Sequence, residues 1–163
     1  MGLDMYLHYR KHFSGWDPRD AGYYTGILGE TGMASIASHD SRSLTVEVTA
    51  IYWRKANAVH GWFVNELAGG VDECQKISVA RDDLIRLRDT CKNALSVPAG
   101  IDVEDHAGNI LPTQEGFFFG GTSYDENYLY DLARTITEID RLLAQLPAEG
   151  EGWDWSLFYQ ASW

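Results

Sequence analysis

Four residues near the middle of the chain bring planar, cationic, amide and imidazole groups together: Trp53, Arg54, Asn57 and His60. If the segment from Trp53 onward is helical, Trp53, Asn57 and His60 lie at i, i+4 and i+7 on one edge, with Arg54 one position round. Such a set suits a small anionic, nucleotide-like ligand. Bases stack on aromatic rings, and a guanidinium takes phosphate oxygens in pairs. Arg54-Lys55 is also one of few paired basic positions in the chain. Two structural alternatives stand beside this reading. His60 falls on the apolar stripe of Ala56, Val59, Phe63 and Leu67, where a hydrogen-bonded core histidine is common. Arg54 has Asp72 and Glu73 nearby in sequence as internal ion-pair partners.

Other chemistry is sparse. The glycines do not fall at the spacing of a phosphate loop or a dinucleotide fingerprint, and there is no Gly-x-Ser-x-Gly elbow. Cys91 sits on a helical apolar stripe and reads as a small core residue. Nothing in the sequence brings Cys74 or Cys91 to His60. His8 and His12 form an H-x3-H pair without a legible third ligand, so they read as surface histidines. Asp72-Glu73 and Asp125-Glu126 read as a turn and a helix N-terminus. No catalytic residue, metal ligand or cofactor is assigned, and the chain is not expected to be an enzyme.

The chain has 163 residues, 45% apolar and 23% charged, with a formal net charge of −11. That length and composition fit one globular domain. The acidic surface argues against direct binding to nucleic acid, because phosphate backbones are repelled. Two cysteines are too few for a disulfide scaffold. The start, MGLDMYLHYRK, lacks the basic and apolar regions of a secretory signal, and Tyr6 stands where myristoylation wants Ser or Thr. No apolar run reaches membrane-span length. A cytoplasmic protein with no membrane contact is expected.

Residues 3–10 alternate, with Leu3, Met5, Leu7 and Tyr9 on one face, and predict a half-buried strand. Residues 43–52 predict a second strand, and 153–163, rich in Trp and Tyr, a terminal one. Shorter strands are expected at 71–79 and at Gly116–Gly120. Helical spacing predicts three helices: 53–68, closed by Gly69-Gly70; 80–95, with Leu84, Leu87, Cys91 and Leu95 inward; and about 124–146, with a Ser123/Glu126 capping box at its start and Pro147 after its end. Residues 14–42 predict a long loop or insertion with a short hairpin, and 96–112 read as turns. The fold class is therefore α+β: a single domain over 1–163, a mostly antiparallel sheet and about three packed helices. The expected core holds Leu3, Met5, Leu7, Phe63, Leu67, Leu84, Leu87, Phe118, Leu132, Ile136 and Ile139.

Several motifs together carry a resemblance: Gly2-Leu3-Asp4-Met5-Tyr6, Tyr52–Asn57 with His60 and Trp62-Phe63, Gly70–Cys74, Gly116–Gly120 with Tyr124, and Phe158–Trp163. The chain resembles a family of small proteins encoded by phages and prophages. The resemblance spans nearly all of it except 14–42, where this sequence is longer. It brings no catalytic assignment. It implies an accessory, anti-defence role, acting on host enzymes, host defences or nucleotide signals. The expectation is a binding protein that sequesters a small anionic, nucleotide-like ligand through Trp53, Arg54, Asn57 and His60, and that can form a homo-oligomer. The alternative is an acidic inhibitor that binds a host protein, or a DNA mimic.

Overall fold

The computed structural model describes residues 2–40, 42–147 and 154–163. Four strands form one antiparallel sheet: β1 (Asp4–Ser14), β2 (Ser43–Arg54), β3 (Ile77–Val79) and β4 (Trp155–Ser162), in the order β2-β1-β4-β3. The period of two divides its faces. Met5, Leu7, Ile51, Trp53, Leu157 and Tyr159 are buried on the side that packs against the helices. Tyr6, His8 and Arg10 alternate with them on the other side. A bulge shifts the β1–β2 register: Leu7 pairs with Ile51, but His8 pairs with Thr49, leaving Ala50 extra.

Five α-helices, not three, stand among the described residues: α1 (Ala21–Glu30), α2 (Asn57–Leu67), α3 (Arg81–Leu95), α4 (Val103–Ile110) and α5 (Glu126–Leu143). The expected α+β class and antiparallel sheet hold. The two extra helices fall where turns and loops were expected. α4 has its N-cap in Asp102, whose carboxylate accepts from the Glu104 amide, and buries only Ala107. α1 fills the middle of 14–42, where a hairpin was expected, and buries only Tyr24. Such thin apolar faces leave little periodic signal to read. The close seat of Tyr24 requires glycine at 15: a Cβ there would lie 2.9 Å from its ring and 2.8 Å from the Arg42 Cβ.

Three further expectations are corrected. The strand expected over 71–79 shrinks to Ile77–Val79. The cap of α5 is Asp125, which accepts from the amides of Asn127 and Tyr128, and not Ser123. The segment Gly116–Gly120 is a turn, not a strand. The Phe119 amide donates to the Gly116 carbonyl at 3.2 Å, and Phe118 takes a left-handed φ of 67°. Only one of three consecutive rings can then turn inward. It is Phe119, 3% exposed, while Phe118, expected in the core, is 45% exposed.

The rest of the expected core is largely in place. Leu3, Met5, Leu7, Phe63, Leu84, Leu87, Leu132 and Ile139 are buried, and Leu67 and Ile136 pack at its margin. α3 and α5 lie against each other, and Cys91 of α3 is fully buried in the core. Burial pushes the Cys91 thiol up to about 12, which keeps it protonated and inert at neutral pH.

Candidate functional site

The helix expected from Trp53 begins only at Asn57. Trp53 and Arg54 instead end β2, paired with Met5 and Asp4 of β1. The alternating burial of Ile51 and Trp53 outcompetes the helical spacing, so the shared helical edge of Trp53, Asn57 and His60 does not form. The change of direction happens at Lys55, which holds a left-handed φ of 60°. Its amide donates to the Leu3 carbonyl at 2.8 Å and its carbonyl accepts from the Asn57 amide at 2.8 Å. A lysine in this region is strained and persists only where its surroundings fix it.

Around this corner lies a cavity of about 440 Å³, walled by the end of β2, the first turn of α2, the loop through Gly120-Gly121 and the first half of α5. Arg54 and Lys55 both line it. Neither side chain has an ion pair or hydrogen bond among the described residues, so the internal pairing of Arg54 with Asp72 or Glu73 is not formed. The N-cap position of α2 is Ala56, which offers no side-chain acceptor to the first-turn amides. Those amides carry the positive end of the helix dipole. From α5 come Asp131, Arg134 and the exposed Tyr130.

Asn57 also borders the cavity, but its amide is fully occupied. Nδ2 donates to the carbonyls of Phe119 (3.3 Å) and Gly121 (2.7 Å), and Oδ1 accepts from the Gln114 amide (3.3 Å). Asn57 thus fastens the 113–121 loop to α2 and shapes the cavity wall.

Trp53 and His60 do not line the cavity; both are buried in the core. Trp53 is 1% exposed, and its indole N–H donates to the Thr135 hydroxyl at 2.9 Å. His60 is 1% exposed, with Nδ1 2.7 Å from the Tyr159 hydroxyl and Nε2 3.0 Å from Asp72 Oδ2. Burial lowers the His60 pKa, and the Asp72 carboxylate only partly opposes it. The neutral ring then has one consistent tautomer: Nε2–H donates to Asp72, and Nδ1 accepts from the tyrosine O–H. Burial also raises Tyr159 well above its ordinary value, in keeping with a donor hydroxyl. The tail aromatics Phe158 and Tyr159 are buried in the sheet; Trp153 lies outside the described residues.

The carboxylates of the cavity wall differ. Asp125 is satisfied by two α5 amides and drawn below its usual range. Burial pushes the Asp131 carboxyl up to about 6; Arg134 pulls it down and Asp125 adds to the rise. Asp131 and Arg134 escaped the sequence reading. Asp131 sits one residue before buried Leu132 and one turn before buried Thr135, and a charge flanking an apolar stripe is the signal that marks it.

His8 and His12 share one face of β1, and no group of three or more His, Cys, Asp or Glu among the described residues could hold a metal ion. No helix among them is long and apolar enough to cross a membrane. No protein-family model, curated protein or solved structure matches the chain.

Proposed function

We propose that the protein binds, without turning it over, a small phosphate-bearing, nucleotide-like molecule in the cavity beside Arg54, and so sequesters it, the accessory role that the phage resemblance implies. One observation carries this reading: in a chain of net charge −11, two cations without ion-pair or hydrogen-bond partners among the described residues, Arg54 and Lys55, meet the uncapped start of α2 at the rim of a cavity. Helix amides, a guanidinium and an ammonium together suit phosphate oxygens. The volume of about 440 Å³ suits a mononucleotide-sized ligand. Binding without turnover is favoured because the ring nitrogens of His60 are occupied by Tyr159 and Asp72, away from the cavity.

The rival reading, an acidic inhibitor or DNA mimic, needs carboxylates standing free in phosphate-like rows. Several carboxylates of α2, α3 and α5 are instead interleaved with cations: Asp83 and Glu66 with Arg86, Asp89 and Asp140 with Arg88, Glu138 with Arg141. Such a mixed surface favours the small ligand.

The test is a thermal-shift screen of mononucleotides, dinucleotides and inorganic phosphate. A ligand at one hundred times its Kd should stabilise the fold by about 2.7 kcal/mol. Arg54→Ala and Lys55→Ala should abolish the shift while leaving the unliganded melting temperature close to wild type. A screen with no stabilising anion overturns the proposal.

A further inference from the structure

The Asp131 carboxylate is out of keeping with the other partly buried carboxylates of the protein. Asp72 accepts from His60 and Gln114, Asp83 from Arg86 and the Ala80 amide, Asp20 from the Ser14 amide, and Asp154 pairs with Lys11. Asp131 is half-buried at the cavity wall, and its carboxylate has no hydrogen-bond partner among the described residues. The natural partner would be Arg134, one turn further along α5. That guanidinium instead donates to the Tyr52 carbonyl at the sheet edge, at 2.9 Å. A partly desolvated carboxylate without a donor costs stability. Its place in the wall also sets a negative group in the cavity that holds Arg54 and Lys55. A site for phosphate alone would be better without it.

We propose that Asp131 accepts a pair of neighbouring O–H or N–H donors from the ligand, so that the ligand is a nucleotide presenting a ribose cis-diol or the amino and imino groups of guanine, rather than a bare phosphate. This inference rests on the reading of Arg54 and Lys55 as the anion site. A carboxylate accepts two adjacent donors side by side through its two oxygens. Vicinal hydroxyls and the guanine edge both present donors at that spacing. Phosphate oxygens at Arg54 and Lys55 and donors at Asp131 then bind through opposite chemistry, which fixes the orientation of one molecule in the cavity. The exposed ring of Tyr130, next to Asp131 in the same wall, supplies a face on which a base can lie.

Isothermal titration of the full chain with inorganic phosphate, guanosine, deoxyguanosine and inosine 5′-monophosphates tests the proposal. Wild type should bind the guanosine nucleotide at least about tenfold more tightly than phosphate. Asp131→Asn should remove that preference without weakening phosphate binding. The direction is diagnostic: if Asp131 only repelled anions, Asp131→Asn would strengthen binding of every ligand alike. Loss of affinity with the deoxynucleotide identifies the diol as the donor pair, and loss with the inosine nucleotide identifies the guanine edge. Equal affinity of wild type for phosphate and nucleotide, or Asp131→Asn binding the nucleotide as wild type does, overturns the assignment while leaving the anion site standing. Binding of nothing, or binding indifferent to Arg54→Ala, removes the anion site and this inference with it. An Asp131→Ala variant, titrated in parallel and checked by its melting curve, removes the acceptor altogether and should match Asp131→Asn in losing the preference.

Discussion

Arg134 follows Asp131 by three residues on α5, yet its guanidinium is held by the Tyr52 carbonyl at 2.9 Å and leaves the aspartate without a hydrogen-bond partner among the described residues. Arg141, two turns further along, does the same for the Ala50 carbonyl at 2.8 Å. Ala50 is the extra residue of the β2 bulge. Two arginines from one helix thus close the exposed edge of the sheet where the bulge disturbs its ladder. Edge carbonyls that lack a strand partner need such donors. The consequence is local: the cation that could neutralise Asp131 is committed to holding β2.

That commitment predicts a stability profile. Asp131 ordinarily titrates near 3.8 and is raised in the fold to about 6, chiefly by burial. The folded state therefore binds the proton more tightly than the unfolded one. Its advantage is complete below pH 4 and is lost as pH rises through about 6. The rise sets a ceiling of about 3 kcal/mol, and partial exposure to solvent reduces it to about 1–2 kcal/mol. The charged groups lining the same cavity are Arg134 and Asp125 from α5 and its cap, and Arg54 and Lys55 from the end of β2. Asp131→Asn should be more stable than wild type by that amount in urea unfolding at pH 7.5, and no more stable at pH 4. A destabilised variant at pH 7.5 would mean that the carboxylate has a partner inside the fold.

His60 titrates in the opposite sense. Its pKa is lowered below 6.5, so the unfolded chain takes up the proton first. The stability it contributes is present above pH 6.5 and falls away as pH drops below that value. Tyr159→Phe should cost about 1–2 kcal/mol, because Nδ1 loses its donor in a buried site. Proton-resolved NMR of the His60 ring should find it neutral at pH 6.5, with the proton on Nε2. A protonated ring at that pH would contradict the tautomer deduced from Asp72 and Tyr159.

The three consecutive phenylalanines give a direct contrast. Phe119→Ala should cost about 3–5 kcal/mol, since its ring is 3% exposed and packs edge-on to His60. Phe117→Ala, at 78% exposure, should change unfolding free energy by less than about 0.5 kcal/mol. Chemical denaturation of both variants reads the difference.

The sheet was legible because its strands obey a period of two over long runs, and α3 and α5 because their stripes repeat over four or five turns. Phe117, Phe118 and Phe119 are alike in type, so no pattern tells which one the turn points inward. The four candidate site residues separate for a related reason. Trp53 continues the strand alternation of Ile51 and also starts the helical spacing that runs to His60, so it fits both. The burial of Trp53 beside Met5, and not any local preference, decides for the strand as far as Arg54. Arg54 and Asn57 border the cavity, whereas Trp53 and His60 are buried and do not line it. Asp131 joins them only through the packing of α5, some eighty positions along the chain, and such a contact leaves no local trace.

Asn57 and Arg54 should therefore fail in different ways. Asn57 is 5% exposed and makes three hydrogen bonds, to Phe119, Gly121 and Gln114, that hold the 113–121 loop on α2. Asn57→Ala leaves two carbonyls and an amide short of a partner, and should cost about 2–4 kcal/mol. It should also speed amide exchange in residues 113–121, since these bonds fasten the loop. Arg54 is exposed and has no ion-pair or hydrogen-bond partner among the described residues, so Arg54→Ala should shift stability by less than about 0.5 kcal/mol while removing affinity for the anion. Hydrogen exchange and melting curves of the two variants, measured beside ligand titrations, separate the roles. An Arg54→Ala protein that loses stability as Asn57→Ala does would place the guanidinium in the fold instead of in the binding site.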